Sequence, residues 1–516
     1  ERFSLNGRWV PWYNIHKTFV GLKDAWLVAG NEQARDVLLF LCDWAEALTK
    51  DLSEEQMQRM LYAEHGGMNE LFAEVYQETN DKRYLELARR FSHHEILDPL
   101  SEGKDPLTGM HANTQIPKVI GFQRIANASK APEYGAAANF FWENVVRERS
   151  VVFGGNSVRE HFHDPDDFGT MLESREGPES CNTYNMLRLS AQRFLDAPKA
   201  ATVDFYERAL FNHIVSVQNP DTGGYVYFTP IRPRHYRVYS QAETAFWCCV
   251  GSGMENPGRY TELIYAHGDD SLYVNLFISS ELKWPERGLT LAQQTDFPRS
   301  EETSLKLELE KPTKLTLHLR RPSWAPDARL ELNGKKVGTK ADANGYIPIT
   351  RKWKNGDTLR LSLPMSLSVE QLPDGSDYYA FLYGPVALAA RNGDSDTPGL
   401  FAGDGRMEHI APGPYYPLQT ATTFITDPET LVSHVDPING QPLHFKFTGP
   451  ARPEPEAPII LEPFSQIHGE RYTLYWQTLD ASRYETVISE LNAEEELKQQ
   501  RLARLVDQVD RLAEIA

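Results

Sequence analysis

Thr244-Ala-Phe-Trp-Cys-Cys-Val-Gly-Ser-Gly-Met-Glu-Asn256 sets Cys248 and Cys249 side by side, between an aromatic pair and a glycine-rich turn. A third cysteine, Cys181, lies in Gly177-Pro-Glu-Ser-Cys-Asn182, two residues after Glu179. Three soft thiolates and one carboxylate make a four-ligand set for zinc, which is bound tetrahedrally through sulfur, nitrogen and oxygen. Three other readings compete. Small thiols often fill cores, adjacent cysteines can close a strained vicinal disulfide, and a zinc site can be purely structural. Structural sites usually draw on two CxxC-like hooks, which Cys248-Cys249 is not. Adjacent ligands leave one sulfur awkwardly placed and therefore available for chemistry.

On the N-terminal side of that stretch, residues 1–265 carry mostly helical periodicity. Asn31 is positioned to cap a helix through Leu38, Leu41 and Ala45 to Leu48. Similar stretches cover Asn69–Thr79, Lys82–His94, Thr114–Ala128, Pro132–Arg147, Ser180–Phe194 and Thr202–Gln218. The loops between them are rich in Gly, His and Asn, as at Glu64–Asn69 and Gly109–Thr114. Cys42, inside an apolar helical run, reads as core.

Past residue 266 the period changes to two. Leu305, Leu307 and Leu309 alternate with polar residues, as do Leu315, Leu317 and Leu319. Asn333-Gly334 signals a hairpin, and Gly356-Asp357 another turn before Leu359. This predicts a β-sandwich over residues 266–390. Residues 391–491 read as a linker, rich in Gly, Pro, Asp and Thr as far as 425, followed by a second β-rich domain. Residues 492–516 form a charged helical tail with Leu502, Leu505, Val509 and Leu512 on one face.

The 516 residues hold 53 basic against 72 acidic side chains, a net charge of -19. Such a length suggests roughly two to four domains. The acidic balance argues against nucleic acid or an anionic membrane as partner. No run approaches the ~20 apolar residues of a membrane span. Four cysteines make no disulfide scaffold. The chain starts at Glu1 with no visible signal sequence, so it reads as processed or truncated at its front.

The segment Cys248-Cys-Val-Gly-Ser-Gly-Met-Glu-Asn256 resembles the cysteine motif of the β-L-arabinofuranosidases in glycoside hydrolase families 127 and 146, the latter more closely. Matching segments recur in order: Pro11-Trp-Tyr-Asn-Ile-His-Lys17, Glu64-His-Gly-Gly-Met-Asn69, Gly109-Met-His-Ala-Asn-Thr-Gln-Ile-Pro117, Gly154 through Glu160, Glu179-Ser-Cys181 and Val226-Tyr-Phe-Thr-Pro230. The resemblance implies an α+β multidomain fold, with an (α/α)6-barrel catalytic domain over residues 1–265 followed by β-sandwich domains. About seven helical stretches are readable here, too few for a complete barrel of this kind, so its first helices are expected to be missing.

The resemblance also implies a retaining exo-β-L-arabinofuranosidase that uses Zn2+ and acts on an arabinose-containing, plant-derived glycan. It assigns the nucleophile to Cys248, with Glu179, Cys181 and Cys249 completing the metal shell. Zinc keeps a thiolate ionised at neutral pH, so the sulfur needs no separate base. Glu160 matches the acid/base; on residues alone it is an ordinary surface glutamate, and His161, His163, Asp164, Asp166 and Asp167 beside it offer alternative carboxylates or metal ligands. His16, His65, His111, Glu207 and Tyr227 match sugar-pocket positions. Neutral imidazoles both donate and accept, as hydroxyl recognition requires, but a lone histidine is more often structural and Glu207 could face solvent on its helix. Trp12 and Trp247 could stack on a sugar or sit in the core. Two other functions stay open: a non-catalytic carbohydrate-binding protein on a decayed barrel, and a sugar epimerase on the same toroid. A reactive thiolate suits the cytosol, whereas the likeness to family 146 favours a periplasmic or secreted degrader.

Overall fold

The computed structural model of the chain describes residues 2–515, apart from the side chains of 2, 3, 507 and 509–515. Its helices are α1 (Pro11–Leu27), α2 (Glu32–Thr49), α3 (Glu54–Leu61), α4 (Met68–Thr79), α5 (Lys82–Arg90), α6 (His94–Ser101), α7 (Ala112–Ser129), α8 (Pro132–Glu148), α9 (Gly169–Glu173), α10 (Ser180–Asp196), α11 (Ala200–Ala209), α12 (Cys248–Arg259) and α13 (Ala481–Ile515). Their caps follow from sequence. Asn31 Oδ1 accepts from Ala34 N at 3.1 Å to start α2, and Ser53 with Gln56 forms a capping box on α3.

Helices α1, α4, α7, α10 and α12 pack side by side in that order as an inner arc. Helices α2, α5, α8 and α11 each return outside the inner helix that precedes them. The inner helices therefore run the same way, and their N-termini gather at one end. Two of the inner helices escape sequence periodicity. The motif Pro11–Lys17 is the start of α1, and the supposed glycine-rich turn after Cys249 is the body of α12. Gly253 is required there because a Cβ would sit 2.4 Å from the Tyr225 ring.

A four-stranded sheet (265–268, 271–274, 313–320 and 346–353) faces a six-stranded one (280–284, 289–295, 302–309, 358–362, 329–332 and 335–337). Leu305, Leu307, Leu315, Leu317 and Leu361 fill the core between them. Asn333 and Gly334 both have positive φ, and the pairing Leu332↔Lys335 makes theirs the two-residue hairpin the sequence predicts. The sheet boundary differs from the one expected near Ala390. Strands 367–371, 378–383 and 386–391 pair with strands from 423–479 in a ten-stranded sheet, so the break falls between Ser362 and Leu367. Alternation alone cannot show which sheet a strand joins.

One face of that last sheet, through Ala380, Leu382, Ala387 and Ala389, packs on Val151, Val152, Phe153, Val158 and Phe168 of the helical domain. The other face carries its own core around Phe381, Phe424 and Trp476. Helix α13 begins at Ala481 rather than Asn492. Leu502 and Leu505 on it are exposed, and the side chains of Val509 and Leu512 lie outside the described residues. None of the described helices is long and apolar enough to cross a membrane.

Glu207 corrects an expectation. It is fully buried on α11, facing the middle domain: its carboxylate accepts from Arg320 Nη2 and, at 2.9 Å, from Trp324 Nε1. With both oxygens taken it is an interdomain anchor and not a sugar ligand. Glu207→Ala leaves the buried Arg320 with Asp204 as its remaining carboxylate partner, at 2.6 Å, and is expected to cost about 3 kcal/mol of stability. Denaturant unfolding checks this, and kcat per folded molecule should stay within twofold.

Candidate active site

The gathered N-termini carry the site. Helix α12 opens on Cys248 and Cys249, with Trp247 extended before it (φ -85°, ψ 169°). Helix α10 opens on Ser180-Cys181 with Glu179 at its N-cap, and His111 is the N-cap of α7. Unpaired N–H groups and aligned peptide dipoles at such ends favour negative charge and lower thiol pKa values.

Glu179, Cys181, Cys248 and Cys249 each present a ligand atom, all within 4.8 Å of one another. Cys181 Sγ lies 3.2 Å from Cys249 Sγ, and Glu179 Oε1 lies 3.8 Å from Cys249 Sγ and 4.0 Å from Cys248 Sγ. Tetrahedral bonds of about 2.0–2.3 Å separate ligands by roughly 3.3–3.8 Å, so this cage is the right size for a metal ion. Glu179 Oε2 is buried without a partner, as a ligand oxygen awaiting a cation would be. The protein alone cannot ionise all four groups. Burial pushes the Glu179 carboxyl well above the usual range, and Cys248 adds to it. The bond to Cys248 pushes Cys181 up, and burial pushes Cys249 up. Cys248 is pulled well down because it accepts from Cys181 and Cys249. A divalent cation removes this conflict by neutralising the set. Among the described residues no other His, Cys, Asp and Glu group of this kind occurs.

Glu160 stands at the tip of a tight turn in which Val158 and His161 exchange N–H···O bonds of 2.9 and 3.0 Å. Its two central residues, Arg159 (φ 50°) and Glu160 (φ 67°), are both left-handed, as a type I′ turn requires. Non-glycine residues there cost about 1–2 kcal/mol each. Ala112 N donates to Glu160 O at 2.8 Å and Phe162 N to Met110 O at 2.9 Å, which pins the turn to the start of α7. The C-terminal sheet holds the far side: Val152 N donates to Tyr475 Oη and Phe168 N to Asp374 Oδ2, each at 2.8 Å.

Tyr227 joins the two halves. Its phenol donates to Glu160 Oε1 and lies 3.9 Å from Cys248 Sγ. Burial, then the charges of Glu179 and Cys248, push its pKa far up, so it remains a donor. His111 Nε2 is 3.9 Å from Glu160 Oε2, and burial lowers its pKa against the pull of Glu160.

The catalytic-domain model of the GH127 β-L-arabinofuranosidases matches residues 1–262, half the chain, and the middle-domain model of the same family matches 271–365. The chain belongs to the GH127 β-L-arabinofuranosidase family. Residues 368–478 of this GH127 chain match a domain of unknown function. A non-reducing end β-L-arabinofuranosidase of Bifidobacterium longum subsp. longum is 24% identical over 431 residues, 72% of this chain. The chain spans 63% of that relative's length. A GH127 β-L-arabinofuranosidase from Geobacillus stearothermophilus T6 superposes with a TM-score of 0.70 at 17% identity, covering 92% of this chain and 81% of its own. A second GH127 β-arabinofuranosidase gives 0.67 at 19%, covering 91% and 77%. These likenesses show the fold: a helical domain followed by β domains.

The structure thus gathers Glu160, Glu179, Cys181, Tyr227, Cys248, Cys249 and His111. His16 lies behind them, its ring beneath Gly66 and Gly67 with Nδ1 3.4 Å from Gly67 N, and burial lowers its pKa to about 3. His65 is fully enclosed, with Nδ1 3.2 Å from Ala63 O and Nε2 unpartnered. Trp12 is core, donating to Met60 Sδ at 3.2 Å, whereas Trp247 stands 6.1 Å from the Tyr227 ring. His163 packs on Phe168 at 4.3 Å, and Asp164 N-caps a local turn by accepting from Asp166 N at 3.0 Å. Sequence selection of histidines passed over neighbours in the same motifs. Burial and then the charge of Cys248 raise the pKa of Tyr13, and Glu64 is raised by burial with Cys248 contributing, so both share the cysteines' surroundings. Lys17 reaches over the Tyr13 ring at 4.4 Å. His409 had no sequence signal, because it lies in the stretch that reads as linker.

Tyr227→Phe deletes the shared phenol. Loss of a hydrogen bond to a charged partner, worth about 1.5–3 kcal/mol, should lower kcat about 10- to 100-fold with little change in thermal midpoint, as steady-state kinetics and a melting curve will show.

Proposed function

We propose that the protein is a retaining exo-β-L-arabinofuranosidase that removes a terminal sugar from arabinose-containing plant glycans. The observation that carries this reading is the single phenol of Tyr227 lying between the Cys248 sulfur and the Glu160 carboxylate. It supports a nucleophile and an acid/base that face each other across one side chain, for which a retaining pair calls for about 5–5.5 Å between the two groups. The family membership and the named relatives supply the sugar.

In the first step Cys248 Sγ attacks the anomeric carbon; the C–S bond forms as the C–O bond to the leaving group breaks. Glu160 gives its proton to the departing oxygen. In the second step Glu160 takes a proton from water, whose oxygen displaces the sulfur and releases the sugar with its configuration retained. Tyr227 holds the Glu160 carboxylate in line and offers its remaining reach to Cys248. We assign the metal as zinc, because three sulfurs and one carboxylate suit a tetrahedral soft ion. Bound zinc would keep the sulfurs ionised and make Cys248 a better leaving group. Glu179, Cys181 and Cys249 would hold it while Cys248 also faces the sugar; Cys248 is the only one of the three site cysteines that is exposed.

A panel of aryl glycosides that includes the β-L-arabinofuranoside should give free arabinose from that compound, and elemental analysis of the same sample should give close to one zinc per chain. Full activity of metal-free protein would overturn the zinc assignment, and binding without release of sugar would favour a non-catalytic role. Glu160→Gln should slow poor leaving groups by about 10²–10⁴-fold and activated aryl leaving groups less. Cys248→Ser should be inactive, and a mechanism-based label should map to the Cys248 peptide; an adduct on Cys249 or on a carboxylate would refute the assignment.

A further inference from the structure

The stretch from Leu400 to Gly413, within the domain of unknown function, lies on the helical domain. Tyr239 N donates to Leu400 O and Ala402 N to Tyr239 O, both at 2.9 Å. Gln241 Nε2 and Thr244 Oγ1 donate to Ala402 O at 2.8 and 3.1 Å, and Gly413 N donates to Tyr236 Oη at 2.8 Å. These contacts tie it to the strand-like run that leads into Trp247 and Cys248. Glu408 folds the stretch on itself by accepting from Gly403 N and, at 3.2 Å, Gly405 N. The next residue, His409, is carried into the site. Its ring lies 4.3 Å from Tyr227, 5.4 Å from Phe228 and 5.4 Å from Trp247.

We propose that His409 is a substrate-binding residue of this site, with its Nε2 accepting a hydrogen bond from a hydroxyl of the bound glycoside. The tautomer follows from the loop: Nδ1 lies 3.1 Å from Arg406 O, a carbonyl that can only accept, so Nδ1 carries the hydrogen and Nε2 the lone pair. Among the described residues no group meets Nε2. Burial lowers the pKa, with the charges of Glu160 and Cys248 opposing, which keeps the ring neutral and places it within their field. Packing on Tyr227 and Trp247 alone would need only an apolar ring. An imidazole with one nitrogen tied off and the other unpartnered, beside Tyr227 and Trp247, is what a hydroxyl requires. The domain of unknown function thereby becomes part of the binding site.

This rests on the glycosidase reading, and the two fail separately. Should wild type cleave no β-L-arabinofuranoside, that reading fails; calorimetric titration with L-arabinose then still measures the contact. For the active enzyme, His409→Phe keeps the ring packing and removes the acceptor, whereas His409→Gln keeps an acceptor. We expect His409→Phe to raise KM, or the L-arabinose Kd, about 3- to 10-fold, with kcat, metal content and thermal midpoint within twofold or a few degrees of wild type. His409→Gln should recover at least half of that loss. Wild-type KM and Kd in the Phe variant would overturn the proposal, as would equal losses of kcat and thermal midpoint in both variants, which would mark His409 as a packing residue.

Discussion

Three thiols and a carboxylate brought within 4.8 Å in a dry pocket would repel one another as anions, and burial opposes ionising any of them. The protein offsets this by where it puts them. Cys181, Cys248 and Cys249 occupy the first turns of α10 and α12, and Glu179 caps α10, so the positive ends of two helices converge on the cluster. That placement in turn demands an inner arc of parallel helices with their starts at one end. It also demands the close approach of α12 to Tyr225 that only glycine at position 253 allows. A cation of fitting size would complete the neutralisation.

The domains after the helical one are joined to it by buried polar contacts. Arg320 reaches from the middle domain to Asp204 at 2.6 Å and to Glu207. The C-terminal part is joined by guanidinium groups that donate to carbonyl oxygens: Arg232 to Tyr416 O at 2.7 Å, Arg471 to Arg234 O at 2.7 Å and Arg175 to Ala411 O at 3.2 Å. Arginine suits this, since its fixed fork can meet several backbone oxygens at once. Together with the apolar face on Val151–Val158, these contacts hold two pieces of the cleft, the Glu160 turn and the His409 loop, in one frame.

Much of this was legible in the chain. The cysteine cluster came from residue type and motif order, the outer helices from periodicity and caps such as Asn31, and the middle sheets from alternating leucines and Asn333-Gly334. What stayed hidden has physical reasons. Glycine and proline in α12 disguise a helix whose geometry is set by a neighbour's ring, not by propensity. Glu207 looked like a pocket residue by motif, but its partners lie more than a hundred residues away (Arg320 and Trp324) and leave no local trace. The segment around His409 has a linker's composition because it is held by short turns of its own and by hydrogen bonds to another domain, not by a periodic element. The sheet to which 367–391 belong is likewise a question of long-range pairing.

Two-residue turns with both central positions left-handed are where Asn-Gly is most comfortable, and drift toward stability would put it there. This chain places Arg159 and Glu160 at those positions instead. Such a choice costs stability, and strain of this kind clusters at functional sites. The conformation aims the carboxylate, and a glycine at 160 would relax the backbone while removing the group proposed as the proton donor. On the proposed reading, an acidic residue at a turn position that chain energetics would give to glycine marks the acid, a signature readable from backbone angles where motif identity has faded.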